Sequence, residues 1–148
     1  MYGELLALAY VAVLGTIALI DYRTRRAPNA LVYPAIVGGA LASIPLGDLR
    51  WEAWLGGLTA TALMLLVYAA GRGKMGAGDV KTACIAGLAV GLRGVPVMLA
   101  GTFLGGSAFA LVVLALGARN RRDTVPFTPF LLLGVLLSWA LRPGYLIS

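Results

Sequence analysis

The sequence predicts an all-α membrane protein, a polytopic bundle of about six transmembrane helices in one domain over residues 1–148. Three observations lead there. Hydrophobic residues make up 60% of the chain and charged residues only 12%, against about half and about a quarter in soluble domains. A soluble fold of that composition would lack the polar surface to coat itself, and a bilayer removes the need for one. The apolar residues also fall into six runs, and the basic residues collect in alternate gaps between them.

The first run covers roughly Leu5 to Ile20, the second Ala30 to Leu46 and the third Ala53 to Ala70. The fourth covers roughly Val80 to Leu92, the fifth Val95 to Gly117 and the sixth Phe127 to Leu141. A helix perpendicular to the bilayer needs about 20 residues, so the fourth run is short. Either its helix is partly sunk, or the Gly-rich segment before it enters the membrane as a buried loop. Such a loop survives only against protein or a water-filled cavity. Met1 to Glu4 has no basic residue, and Asp21 and Arg23 follow the first apolar run instead of a small-residue cleavage site. A retained first helix is therefore expected, not a cleaved signal.

The odd gaps hold Arg23, Arg25 and Arg26, then Arg72, Lys74 and Lys81, then Arg119, Arg121 and Arg122, nine of the twelve basic residues. The even gaps hold only Arg50 and Arg93, and Arg142 follows the last run. The positive-inside rule then sets the odd gaps in the cytoplasm and both termini outside. The net charge of +6, which in a soluble domain would suggest nucleic acid, is read as this topology signal, so no nucleic-acid partner is expected. The 119–122 cluster also suits anionic lipid head groups. Glycine pairs within the runs, Gly38-Gly39, Gly56-Gly57 and Gly105-Gly106, suit close helix packing in lipid. Trp51, Trp54 and Trp139 read as interfacial anchors.

The chain has no histidine and one cysteine, Cys84. Imidazole bases, His-ligated metals, internal disulfides and cysteine-cluster zinc sites are thereby excluded, and no metal or cofactor is expected. Cys84 reads as a small core residue. Glu4, Asp48, Glu52 and Asp123 read as loop acids.

Two aspartates remain. With the first run crossing towards the cytoplasm and the fourth returning, Asp21 ends one and Asp79 begins the other, 58 residues apart in sequence but at one membrane face. Only Lys and Arg set that topology, so the meeting of the acids is independent of it. Two carboxylates a few ångströms apart share a proton and titrate as a pair. One can then take a proton from water while the other protonates a carbonyl oxygen, which is amide hydrolysis without a covalent intermediate. Gly76-Ala77-Gly78 precedes Asp79, and glycines there allow close backbone approach or positive φ. The structural alternatives are a helix cap for Asp79 and an ion pair with Arg23 or Arg25 for Asp21.

The segment Ile20-Asp21-Tyr22-Arg23-Thr24-Arg25-Arg26-Ala27-Pro28-Asn29 resembles the first aspartate motif of type IV prepilin peptidases. Gly76-Ala77-Gly78-Asp79-Val80-Lys81 resembles their Gly-x-Gly-Asp-x-Lys motif, and Pro126-Phe127-Thr128-Pro129-Phe130 their Pro-Phe-x-Pro segment. The three stand in the family's order and extend over most of the chain. The resemblance implies an intramembrane aspartic peptidase, multi-pass in the inner (cytoplasmic) membrane, that removes the basic leader of prepilins or pseudopilins at the cytoplasmic face, ahead of the substrate's hydrophobic helix. It implies catalytic roles for Asp21 and Asp79, a loop shaped by Gly76 and Gly78, Lys81 near the second carboxylate, and a turn into the second span at Pro28 and Asn29. Pro28 equally suits an ordinary helix start. Arg23 belongs to the first motif, and Asp123 is the loop acid placed to attract a basic leader. Ala27 stands where the family usually has Ile. Many bacterial members carry a cytoplasmic domain with two cysteine pairs, and some methylate the new N-terminus. With one cysteine here, the resemblance implies the short peptidase-only form. Archaeal preflagellin peptidases share the two aspartates and are the alternative within the resemblance. From other classes, the alternatives are a small transporter, which would need polar groups along a whole pathway, and a non-catalytic assembly subunit.

Overall fold

A computed structural model describes residues 2–24, 28–72, 76–117 and 127–141, apart from the side chains of Leu49 and Arg50. It contains five α-helices, and among the described residues no strand: α1 (Tyr2–Thr24), α2 (Asn29–Ala42), α3 (Leu49–Ala70), α4 (Ala77–Ala115) and α5 (Thr128–Leu141). A 3₁₀ turn at Ile44–Leu46 follows α2. Four stretches are long and apolar enough to cross a bilayer, and α5 is a shorter apolar helix. Leu8, Leu58, Leu66, Leu104 and Leu111 are 65–72% exposed. An outer surface so apolar suits lipid and not water.

The five helices make six apolar segments among the described residues. At about 1.5 Å per residue the 39-residue α4 would be nearly twice the roughly 30 Å hydrocarbon core. The chain breaks it at Gly91, with φ 66° and ψ 172°, a backbone conformation open essentially only to glycine. Contacts with α5 show that the two arms run in opposite directions. The Ser138 hydroxyl donates to Gly94 O at 3.2 Å, and Trp139 Nε1 donates to Ala89 O at 3.1 Å, both beside Gly91. At the other end of α5, Phe127 stacks obliquely on Phe103 with ring centroids 5.8 Å apart. The expected fourth and fifth runs are thus the arms 77–90 and 92–115. The gap expected at Arg93 is not a loop, because one glycine makes the whole turn.

α3 and α4 lie backbone to backbone. A Cβ placed on Gly56 would stand 2.5 Å from Gly87 O and Gly91 C, and one on Gly87 would overlap Gly56 O and sit 2.7 Å from Ala60 Cβ. α5 meets the second arm the same way, with Gly134 against Met98 O and the Thr102 hydroxyl. Small residues let helices approach closely where lipid offers no hydrophobic drive to association, so the packing reading of Gly56-Gly57 holds. Gly105 and Gly106 meet Phe130 more loosely. Cys84 is half-buried against the core.

Two tryptophans do more than mark a span end. Trp54 Nε1 donates to Ala40 O at 3.1 Å and Ser43 Oγ at 2.9 Å, tying α3 to the end of α2, while Trp139 ties α5 to α4. Trp51 is exposed and packs edge-on against Trp54. Glu52 is not a loop acid: it lies in the first turn of α3 and pairs with Arg93 Nε at 3.2 Å. Thr24, Arg72 and Phe127 lie at the aspartate end of the bundle, whereas Tyr2 donates to Ala42 O at the opposite end. The readings placed on Arg25, Arg26, Ala27, Lys74, Arg119, Arg121, Arg122, Asp123, Pro126 and Arg142 lie outside the described residues, as does that on the side chain of Arg50.

Candidate active site

The buried face of α1 reads Leu6, Tyr10, Leu14, Ile17, Ala18, Asp21, one stripe at helical spacing. Asp21 is the last member of that stripe and its only charged one, 4% exposed. A carboxyl group costs free energy when it leaves water and persists at such a place when it has partners or a function. Its neighbour Arg23 is exposed, and residues two apart on a helix do not face each other. An Asp21–Arg23 ion pair is absent among the described residues, where the one ion pair is Arg93–Glu52.

Asp79 sits in the first turn of α4. It is not the cap. Gly76 occupies that position with an extended backbone, φ −68° and ψ 135°, and its carbonyl accepts the Asp79 N–H at 3.1 Å. Neither Gly76 nor Gly78 has positive φ, so of the two expectations for these glycines positive φ is not met and close approach is left. Gly78 is already helical. A Cβ on Gly76 would stand 3.4 Å from Asp79 Oδ2, so glycine there leaves the flank of the carboxylate open. Asp79 is half-buried and feels the charge of Asp21. The two acids, on different helices, therefore lie at the same end of the bundle.

A third residue joins Asp21. Phe127 O accepts the N–H groups of Phe130 at 3.0 Å and Leu131 at 3.2 Å, starting α5. Pro129 brings no N–H, so the free amide of that first turn is Thr128, which donates to Asp21 Oδ2 at 3.3 Å. A helix start leaves orphan N–H groups, and here the carboxylate from α1 takes one. Thr128 is fully buried, and its Oγ1 has no hydrogen-bond partner among the described residues. Sequence reasoning noted the Pro-Phe-Thr-Pro segment but not this role. A proline in a first turn is legible; its partner 107 residues away is not.

The remaining expected site residues lie one layer out. Pro28 caps α2 with an extended backbone, and its carbonyl accepts from Leu31 and Val32, each at 3.0 Å. Asn29 begins the helix and accepts Lys81 Nζ on Oδ1 at 3.1 Å, while the same ammonium lies 4.7 Å from the centre of the Tyr33 ring. Lys81 therefore ties α4 to α2 and makes no ion pair with Asp79, again because residues two apart on a helix diverge.

The model of the type IV leader peptidase family matches residues 8–118. Prepilin leader peptidase/N-methyltransferases are similar: that of Aeromonas salmonicida is 28% identical over 93% of this chain and 50% of its own length. The protein of Bacillus subtilis is 29% identical over 90% of this chain and 54% of its own, and that of Escherichia coli 29% over 83% and 57%. The chain thus spans about half the length of the curated relatives it matches. No solved structure matches it significantly. A helical membrane bundle with the family's motifs in place and a family match over most of its length belongs to the type IV leader peptidase family.

Proposed function

We propose that this chain is an aspartic endopeptidase of the cytoplasmic (inner) membrane that removes the basic leader of type IV prepilins or pseudopilins. Asp21 and Asp79 act as one general acid–base pair. One carboxylate takes a proton from water, whose oxygen adds to the scissile carbonyl carbon. The other donates a proton to the carbonyl oxygen. Collapse of the tetrahedral intermediate returns a proton to the departing amine and breaks the C–N bond, with no covalent intermediate. The shared titration belongs to the pair, so neither role is fixed to one residue.

The observation that supports this reading is that Asp21 at the end of α1, buried, and Asp79 at the start of α4 lie at the same end of an otherwise apolar bundle. Motif order and the named activity of the relatives add support. The even-odd distribution of Arg and Lys supports a reading in which that end faces the cytoplasm and the chain termini lie outside. A leader held there would leave the substrate's hydrophobic helix in the bilayer. The second arm of α4 passes the site at Phe103 and runs on as apolar, exposed helix to Ala115, about 18 Å further. Apolar surface beyond the acids fits a site sunk beneath the membrane face and reached from it.

The test is incubation of the purified protein, in lipid nanodiscs, with a peptide carrying a basic leader followed by a pilin-type hydrophobic helix, and sequencing of the product's new N-terminus. The wild type is expected to cut once at the leader junction. Asp21→Asn and Asp79→Asn are each expected to lower the rate by about 10²–10⁴-fold or more while keeping the helical circular-dichroism spectrum. Near-wild-type cleavage by either variant rejects the pair and favours an assembly subunit.

A further inference from the structure

Two aromatic pairs join α5 to the second arm of α4. Phe127 meets Phe103 with ring centroids 5.8 Å apart and planes at 58°. Phe130 meets Phe109 with centroids 5.4 Å apart and planes at 49°. Both are contacts of the kind aromatic rings prefer over a face-to-face sandwich. The α4 partners are alike in burial too, Phe103 being 37% exposed and Phe109 40%. Both stand at the bundle surface, so truncating either opens a notch towards lipid and not an internal void.

The pairs differ in what they hold. Phe130 lies inside the first turn of α5, and its N–H is spent on Phe127 O. Phe127 is the residue from which that turn starts. Its carbonyl accepts the N–H groups of Phe130 and Leu131, and the same peptide unit carries the Thr128 amide that donates to Asp21 Oδ2 at 3.3 Å. A trans peptide is a planar plate whose C=O and N–H point in opposite directions. With the carbonyl turned into α5, the amide faces out of the helix start, towards α1. Among the described residues Asp21 accepts no other hydrogen bond. The remaining contacts of α5 with that arm lie further along, Gly134 on Met98 O and the Thr102 hydroxyl, and Ser138 on Gly94 O. They keep the helices docked whether or not the ring pair at residue 127 is present.

We propose that Phe103 is a positioning residue for the peptidase reaction: through the ring of Phe127 it fixes the peptide plate whose amide holds Asp21. This rests on the peptidase reading and extends the site to the second arm of α4. Phe109, on the same arm and stacked on the same helix, has no such route to the carboxylate.

The experiment compares Phe103→Ala, Phe103→Tyr and Phe109→Ala in the cleavage assay and in thermal unfolding. Phe103→Ala is expected to lower kcat about 5- to 30-fold with KM within about twofold. Phe103→Tyr keeps the ring and should hold kcat within about twofold of wild type. Phe109→Ala should unfold at about the same lowered temperature as Phe103→Ala, yet cleave at close to the wild-type rate. A double-mutant cycle then reads the route. Thr128→Pro removes the amide hydrogen at a helix position that suits proline, and it should be slow by itself. Adding Phe103→Ala to it should cost less than about a further twofold, because the group through which Phe103 acts is already gone. A normal kcat in Phe103→Ala, an equal loss in Phe109→Ala, or full additivity with Thr128→Pro overturns the inference while the two-aspartate reading stands. Should Thr128→Pro not fold, Phe127→Leu takes its place in the cycle, with the same non-additivity in kcat expected and additivity overturning the inference. A wild type that cuts nothing overturns the peptidase reading, and this inference falls with it.

Discussion

The helices around α4 and the pair α1–α2 are equally apolar, yet they close in different ways. Along α3, α4 and α5 the backbones touch: Gly56 against Gly87 and Gly91, Gly134 against Met98. Between α1 and α2 a cavity of about 340 Å³ remains, lined by Leu6, Tyr10, Val13, Leu31, Pro34 and Ile85 among others. Gly15 and Gly38 have nothing within 4 Å of where a Cβ would stand. Asp79 is carried on the tightly closed side and Asp21 on the open one. The position of Asp79 follows from distributed packing over the whole first arm of α4. That of Asp21 follows from the lower part of α1, where Leu14 and Ile17 are fully buried, and from its bond to Thr128. One acid is built into a frame, and the other is brought to it.

Glycine-to-alanine substitutions test that difference directly, since the same added methyl meets opposite surroundings. The largest effect is expected from Gly87→Ala. Its Cβ would overlap Gly56 O and crowd Ala60, both on a helix that cannot retreat without opening the seam. Overpacking of this kind costs about 1–3 kcal/mol and occasionally more. Backbone atoms on the receiving side put this case at the upper end. A lowered unfolding temperature together with lost cleavage is the expected result, because the seam holds the arm that carries Asp79. An unchanged unfolding temperature would mean that the seam is looser than described.

Gly91→Ala is expected to come next. Nothing about volume is at stake in its conformation: φ 66° with ψ 172° costs a residue with a Cβ about 1–3 kcal/mol. The variant should unfold at lower temperature and, where folded, show faster amide exchange at Leu92 and Arg93 than at Cys84. Equal exchange would place the turn elsewhere in α4.

Composition made the six apolar segments legible, and the Lys/Arg count alone set Asp21 and Asp79 at one end. Those signals are strong because a bilayer penalises every departure from them. The turn at Gly91 was not legible: within Leu88-Ala89-Val90-Gly91-Leu92 it is one glycine among twenty, and its φ is set by the helices it must reverse between. The Gly76-Ala77-Gly78 segment suggested an unusual backbone, and the structure shows an ordinary helix start instead. Glycine there concerns access to Asp79, which no local propensity reports. Lys81 was expected at the carboxylate beside it in sequence and instead reaches Asn29, because helix geometry turns residues two apart away from each other. Trp54 read as an interfacial anchor and Glu52 as a loop acid, yet they bond across helices that sequence cannot place side by side. The specific partners on other helices, Thr128 for Asp21 and Asn29 for Lys81, were what the sequence left opaque.

The smallest effect, opposite in sign, is expected from Gly38→Ala on the open side. A methyl there meets nothing within 4 Å. The residue is in the interior of α2 with no positive φ, so alanine fits the native backbone and removes conformational freedom only from the unfolded chain. Such a change stabilises by about 0.4–1 kcal/mol. The expected outcome is a slightly raised unfolding temperature with cleavage unchanged, since Gly38 lies nine residues, about 14 Å of helix, from Asn29 at the aspartate end. The sign is what matters: an α2 pressed against a neighbour as α3 is pressed against α4 would lose stability on gaining the same methyl. Stability lost at Gly38 as at Gly87 would mean that both sides are closed by backbone contact, and Asp21 would then be as firmly framed as Asp79.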